Sequence, residues 1–234
     1  VDPLSLADFR LLAADAFRGE LRGVLHLWSL DSGGKTDGAA IEQGKAYGCG
    51  SVLHLVQALS KAGVSPRLLL VTRGAQAAAG GDEVAAHQAP LWGLGRVIAL
   101  EHPELQCRCI DLDPAGGSSE EDLLAAEIRR PGGDGEDRIA LRAGAPYGAR
   151  LLPAGRGVKA TIHPDGTYLI TGGLGALGLL IAERMIDRGA KNIVLCSRKR
   201  EGPEAAGTVA RLRKGGANVT VIQADVAKSE EAGK

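Results

Sequence analysis

Short apolar runs alternate with amphipathic segments along the whole chain, the rhythm expected when helices link neighbouring parallel strands. Gly23–Leu30 (GVLHLWSL) reads as a strand. Gly50–Ala62 reads as a helix with Val52, Leu55, Val56 and Leu59 on one face. Arg67–Thr72 (RLLLVT) is an almost unbroken apolar run, the pattern of a strand covered on both sides. A helix over Ala89–Glu101, a strand over Cys107–Leu112, a helix over Glu120–Arg130 and a strand over Asp137–Arg142 continue the alternation. The segment from Leu152 to Ala160, rich in small residues and holding Pro153, interrupts it as a linker. The rhythm then restarts. Thr167–Thr171, Asn192–Cys196 and Asn218–Ala224 read as strands, with helices over Gly175–Arg188 and Ala205–Lys214 between them. The expected fold class is α/β, with two Rossmann-like parallel-sheet units. The first occupies residues 1–153, a linker follows over 154–164, and residues 165–234 form a β-α-β-α-β half-sheet. Short tandem repeats and low-complexity runs are absent.

Composition narrows the function classes. The 234 residues carry 28 Lys and Arg against 28 Asp and Glu, so a nucleic-acid or anionic-membrane surface has no overall basic surplus behind it. Aromatics at 3% leave few rings for base stacking and imply a core of Leu, Val, Ile and Ala. No apolar run approaches the roughly 20 residues of a membrane helix, and a cytoplasmic location is expected. Val1-Asp2-Pro3 carries neither an initiator Met nor a signal-peptide pattern. Lys228–Lys234 reads as the beginning of a helix, and both ends are expected to be cuts from a longer polypeptide.

Candidate reactive side chains are mostly scattered. Cys49, Cys107, Cys109 and Cys196 lack CxxC spacing and read as reduced packing thiols, with Cys107 and Cys109 on one side of their strand. The histidines at 26, 54, 87, 102 and 163 lack zinc spacing, so no metal is expected. Ser51, Ser60 and Ser65 have no nucleophile elbow around them.

One segment carries chemistry. In Thr167–Gly178 (TYLITGGLGALG), Gly173, Gly175 and Gly178 form G-x-G-x-x-G directly after a strand and at the start of a helix. Such a turn needs one glycine to turn tightly, a second to admit a pyrophosphate, and a third to let helix and strand approach. The helix start adds free N–H groups and a positive dipole end. Thr171, Gly172, Gly173, Leu174, Gly175, Ala176, Leu177 and Gly178 are therefore candidate dinucleotide contacts; the bland alternative is a tight turn with no ligand. At the end of the next strand, where an NAD-binding fold usually places Asp or Glu, stands Cys196-Ser-Arg-Lys-Arg200, with no carboxylate before Glu201. Ser197 and Arg198 suit a 2′-phosphate and favour NADP(H), against the alternative of a solvated basic loop. Asp225 can accept from an adenine amino group, with the Val226 backbone beside it. Gly93 and Gly95 fall inside an apolar helix pattern with Trp92, where close helix packing is the better reading.

The stretch Thr167–Arg198 (TYLITGGLGALGLLIAERMIDRGAKNIVLCSR) resembles the opening of a modular polyketide synthase ketoreductase, a member of the short-chain dehydrogenase/reductase superfamily. The segments GVLHLWSLD (23–31), LVTRGAQ (70–76), PLWGLGRVIALEHPE (90–104) and CIDLDP (109–114) resemble the same family's N-terminal structural subdomain. Together the likeness covers most of residues 20–227. It implies a first subdomain that binds no cofactor and buttresses a second, NADPH-binding one. It also implies hydride transfer from NADPH to the β-carbonyl of a thioester on an acyl carrier protein, among neighbouring synthase domains, with an oligomeric state set by the parent synthase.

The family's proton-donating tyrosine, with its serine and lysine, is expected beyond residue 234. Tyr47 and Tyr147 lack the family's Asn or Lys four positions on, and Tyr168 lies in a strand. The chain alone is thus expected to hold NADPH without reducing a substrate. A direct join near Ala154–Ile162 implies a module without an inserted enoylreductase. Two other readings stand beside this one: an inactive scaffold or pseudo-ketoreductase, and a free-standing dehydrogenase of small alcohols.

Overall fold

The computed structural model describes residues 1–16, 21–32, 37–78, 84–131, 135–153, 155, 157 and 161–232. Residues 154, 156 and 158–160 of the expected linker lie outside the described residues. The chain divides into two compact units, Val1–Leu152 and Pro153–Lys234.

The first unit runs α1 (Leu6–Ala16), β1 (Gly23–His26), α2 (Gly38–Gly44), α3 (Ser51–Ala62), β2 (Arg67–Arg73), α4 (Pro90–Glu101), β3 (Arg108–Leu112), α5 (Glu120–Arg129), β4 (Arg138–Arg142) and β5 (Ala145–Gly148). Its five strands lie in sequence order, the first four parallel and β5 antiparallel to β4. Alternation along the strands sorts the core onto two faces. Leu68, Leu70, Cys107 and Cys109 meet Phe9 of α1, Val52, Leu55 and Leu59 of α3, and Leu91, Trp92 and Ile98 of α4. Leu69, Val71, Ile110, Leu112, Ile139 and Leu141 face the other way, under Leu123 and Leu124 of α5. Cys107 and Cys109 thus share one face, and the hydrogen bond with Cys109, then burial, raises the Cys107 thiol. Gly95 of α4 lies over Cys109, so close that a Cβ there would fall on Cys109 Sγ; helix packing explains this glycine.

The carboxyl ends of β2, β3 and β4 close over a buried ion pair. Asp111 is fully buried, and its carboxylate accepts from Arg142 Nη2 at 2.7 Å, Thr72 Oγ1 at 2.6 Å, the Ala75 N–H at 2.8 Å and the Gln76 N–H at 3.1 Å. Arg142 also donates to the carbonyls of Leu112, Leu141 and Gln76. Trp92 Nε1 donates to Thr72 Oγ1 at 2.9 Å and ties α4 into the same network.

Several elements depart from the expectation. The first strand stops at His26 instead of Leu30. Leu27 turns into a helical conformation, and Trp28–Asp31 forms a 3-10 turn that places the Trp28 ring edge-on to Phe9 and His26. Helix α1 begins in a reciprocal cap: the Asp8 N–H donates to Ser5 Oγ, and the Ser5 hydroxyl donates to the Asp8 carboxylate. Asp37 caps α2 through the Ala40 N–H, and Lys45–Gly50 winds as a π-turn between α2 and α3. The hairpin to β5 turns through Ala143 and Gly144, both at positive φ (47° and 77°). The Ala143 N–H is held by Asp113 Oδ2 at 2.7 Å.

The second unit runs β6 (Thr167–Thr171), α6 (Ala176–Asp187), β7 (Asn192–Ser197), α7 (Pro203–Lys214), β8 (Asn218–Gln223) and α8 (Ser229–Ala232). Its three strands are parallel in the order β6-β7-β8. Both long helices cover one face, with Ala182 of α6 and Val209 and Leu212 of α7 against Ile193, Leu195 and Val219. Each unit is therefore α/β with a Rossmann-like parallel sheet. Among the described residues no helix is long and apolar enough to cross a membrane.

Two outcomes follow for stability. Asp111→Asn leaves the Arg142 charge buried without its counter-charge and should cost about 3 kcal/mol or more. The double change Asp111→Leu with Arg142→Met should cost less than either single change, read from urea unfolding midpoints. The second outcome concerns His26, which is buried. The Ser51 hydroxyl donates to the Tyr47 carbonyl at 2.6 Å, so His26 Nε2 donates to Ser51 Oγ at 2.7 Å. Burial lowers this imidazole to about 4, against about 6.5 in an unfolded chain. The unfolded state then binds the proton more tightly, so stability is full above about pH 6.5 and falls towards pH 4. The loss by pH 5 should be about 2 kcal/mol. His26→Gln should remove that component of the pH slope; an unchanged slope would place it elsewhere.

Candidate dinucleotide site

A cleft of about 1000 Å³ opens at the carboxyl ends of β6, β7 and β8, the end of a parallel sheet where such folds bind ligands. Three turns line it. Thr171, Gly172, Leu174 and Gly175 come from the β6–α6 turn, Ser197 and Arg198 from the end of β7, and Asp225 and Val226 from beyond β8. All eight are expected site residues. The lining also includes Cys196, Lys199, Arg200, Gly202, Ala224 and Ala227, which the sequence reading did not single out; each is a near neighbour of an expected residue at a strand end or the start of α7.

Gly173, Ala176, Leu177 and Gly178 do not line the cleft. The two glycines act from behind it. A Cβ on Gly173 would lie 2.9 Å from Leu195 Cα and 2.8 Å from the Ile170 carbonyl. A Cβ on Gly178 would lie 2.6 Å from the Gly172 carbonyl and 2.7 Å from Gly173 Cα. The tight turn itself falls to Gly172, whose φ of +68° suits a residue without a side chain. It is fastened by the Gly173 N–H to the Cys196 carbonyl and the Gly175 N–H to the Gly172 carbonyl, both at 3.0 Å. Ala176 and Leu177 begin α6, whose cap residue Gly175 is extended and makes no side-chain cap. The first N–H groups of that helix therefore keep the donor capacity a phosphate needs.

The β7 end is cationic. Arg198, Lys199 and Arg200 are exposed, and none forms an ion pair with the described residues. Ser197 Oγ accepts the Lys199 N–H at 3.3 Å. Its own proton is then available to an acceptor in the cleft. Asp225 is held through its main chain and one carboxylate oxygen: its N–H donates to Glu231 at 2.7 Å, and Oδ1 accepts from the Ala227 N–H at 3.1 Å. The charge is also unevenly divided along the chain. Residues 153–234 hold 13 Lys and Arg against 8 Asp and Glu, and residues 1–152 hold 15 against 20. A neutral chain thus carries a basic second unit, which favours a polyanionic ligand.

The three tyrosines lie elsewhere. Tyr168 Oη accepts the His163 N–H at 2.7 Å and donates to the His163 carbonyl at 3.3 Å. Tyr147 is exposed on β5, and Tyr47 is part of the π-turn. Among the described residues no cluster of His, Cys, Asp or Glu is able to hold a metal ion.

A family model described as KR domain matches residues 166–234, and one described as the Rossmann fold domain of polyketide synthase extender module SpnB matches residues 7–151. Polyketide synthase GfsA of Streptomyces halstedii is 38% identical over 235 residues, covering 98% of this chain and 3% of that protein. Erythronolide synthase EryA3 of Saccharopolyspora erythraea is 38% identical over 242 residues, covering 100% of this chain and 7% of that protein. Among solved structures, an A1-type ketoreductase superposes with a TM-score of 0.80 at 32% identity, over 98% of this chain and 48% of that one. A C2-type ketoreductase from a modular polyketide synthase superposes at 0.80 and 34%, over 99% and 50%. The chain spans a small part of these synthases and about half of the solved ketoreductases. Likeness to Rossmann-fold ketoreductases implies a nicotinamide cofactor, and the close-packed turn around Gly172, Gly173 and Gly178 fits one.

Gly178→Ala should therefore destabilise the second unit by about 1–3 kcal/mol through overpacking and weaken dinucleotide binding at least tenfold. Gly207→Ala, on α7 outside the cleft lining and with open space around it, should leave dinucleotide binding unchanged without loss of stability. Unfolding curves and fluorescence titration of the two variants provide the comparison.

Proposed function

We propose, for a chain that belongs to the ketoreductase region of modular polyketide synthases, that residues 153–234 hold NADPH for a β-ketoacyl reductase. Its substrate would be a β-keto thioester on an acyl carrier protein, reduced to the β-hydroxy thioester. The observation that carries the cofactor choice is the β7 end, where Ser197, Arg198, Lys199 and Arg200 face the cleft and no carboxylate stands among them. An acidic residue there would accept from a ribose 2′-OH, whereas Arg and Ser suit a 2′-phosphate.

When bound, the reduced nicotinamide supplies the hydride. The chain's own residues bind and orient. Gly172, Leu174, Gly175 and the first N–H groups of α6 would receive the pyrophosphate. Ser197 and Arg198 would hold the 2′-phosphate, and Asp225 with the Val226 backbone would bracket the adenine. Tyr168 is committed to the His163 main chain, which supports a proton donor outside residues 1–234. Residues 1–152 would buttress the reductase without a cofactor of their own. In support, the Asp111–Arg142 network occupies the ends of β2, β3 and β4, and residues 1–152 contain no G-x-G-x-x-G sequence. Carrier protein and neighbouring synthase domains are the proposed partners, consistent with the length of the synthases to which the chain is similar. The uninterrupted fit of the glycines and the exposed cations lining the cleft speak against a degenerate, purely scaffolding chain.

Fluorescence titration of residues 1–234 should show NADPH bound more tightly than NADH. Arg198→Ala should weaken NADPH about ten- to a hundredfold, the scale of a charge-assisted hydrogen bond, and leave NADH nearly unchanged. In a synthase module carrying this chain, a β-ketoacyl thioester on the carrier protein should drive NADPH oxidation. Equal affinity for the two cofactors, or oxidation independent of the carrier protein, would overturn the assignment.

A further inference from the structure

Among the described residues the cationic segment after β7 has no ion pair to hold it, yet a selective 2′-phosphate site needs its guanidinium prepositioned. The main chain supplies part of the answer. Strands β7 and β8 pair in register up to Ser197 opposite Gln223, and the ladder runs one step further through the Ala224 N–H to the Ser197 carbonyl at 3.0 Å. At the next residue the strands part and the ladder has nothing more to give. There the Gln223 side chain takes over: its Nε2 donates to the Arg198 carbonyl at 3.3 Å. On the other side of Arg198, the Lys199 N–H donates to Ser197 Oγ. Arg198 is thus held by a side chain on the neighbouring strand and by a local turn on its own.

We infer that Gln223 is a positioning residue for dinucleotide selectivity, holding the Arg198 main chain so that its guanidinium meets the 2′-phosphate. Gln223 does not line the cleft, and its effect passes through Arg198. This inference rests on the NADPH reading of the site and gives it a second determinant, on a different strand from the cations. It also assigns the two sides of the brace different roles. Ser197 faces the ligand as well as the loop, so its loss removes a contact. Gln223 touches the Arg198 main chain from outside the cleft lining, so its loss removes order. An unbraced Arg198 still attracts phosphate, with less of its time spent in the binding geometry.

The test reads the adenine half directly, with adenosine 2′,5′-bisphosphate and 5′-AMP as probes on the full chain. Wild type, Gln223→Leu, Arg198→Ala and the double variant are titrated with both by calorimetry. Gln223→Leu removes the donor at similar size, and one hydrogen bond of about 1 kcal/mol corresponds to about a fivefold loss. The bisphosphate should weaken about three- to tenfold, and 5′-AMP should stay within a factor of two, which also reports that the variant is folded. In the Arg198→Ala background, Gln223→Leu should have no further effect on the bisphosphate. A wild-type preference for the bisphosphate that Gln223→Leu leaves intact overturns the brace alone. So does an equal loss for both probes, or an undiminished loss in the Arg198→Ala background. A wild-type protein that binds both probes equally overturns the NADPH reading itself, and the brace with it.

Discussion

The first unit depends on one buried contact, the ion pair between Asp111 and Arg142. Two charges taken out of water are costly, and are tolerated where the remaining donors and acceptors are satisfied. Here the Asp111 carboxylate also takes a hydroxyl and two main-chain N–H groups, while Arg142 reaches the carbonyls of Asp111, Leu112, Leu141 and Gln76. The consequence is geometric. The turn after β2, the ends of β3 and β4, and the Trp92 ring of α4 are drawn to one point, at the end of the sheet where a related fold would leave a ligand crevice.

The second unit solves the same design differently. Its strand ends come together over glycines, whose missing side chains leave main-chain donors and a cleft where the first unit has a salt bridge and its hydrogen bonds. Close packing at Gly173 and Gly178 is what makes the opening possible, because it lets α6 begin directly against the β6 and β7 main chains. The two halves share a folding plan, and differ at the carboxyl ends of their strands in whether the space is filled or kept.

Much of this was legible from the residues. The α/β class and the parallel-sheet units followed from the apolar rhythm, because helical crossovers join parallel strands. The glycine turn stood out for its position between a strand and a helix. What escaped has physical reasons. The first strand ends before its apolar run does because Leu27, Trp28 and Leu30 are apolar, and a 3-10 turn over Trp28–Asp31 leaves no mark in period-two alternation. Strand β5 escaped because its turn uses Ala143 at positive φ, where Asn or Gly is usual, and the holding contact comes from distant Asp113. Helix α1 does carry a signal in the Ser5–Asp8 cap, which is a matter of residue type at a helix start and not of apolar periodicity. The division of charge between the units was hidden by their exact cancellation in the total. In the site, Gly173 and Gly178 belong to the motif yet stand behind the cleft, a distinction that spacing alone does not carry. The links from Gln223 to Arg198 and from Glu231 to Asp225 join side chains to main-chain groups across turns, which no pattern of residue types announces.

The contact between Gly95 and Cys109 bears on how this protein can diverge. The two positions belong to different elements, yet they share a single side chain's volume, since anything added to one must be withdrawn from the other. Leu70, beside the same point, leaves no slack to absorb an unmatched change. Descendants of this chain that gain bulk on α4 at residue 95 should therefore carry a smaller residue at 109. Drift at either site would be constrained jointly, with the order of substitutions mattering: shrinkage on the strand has to come first.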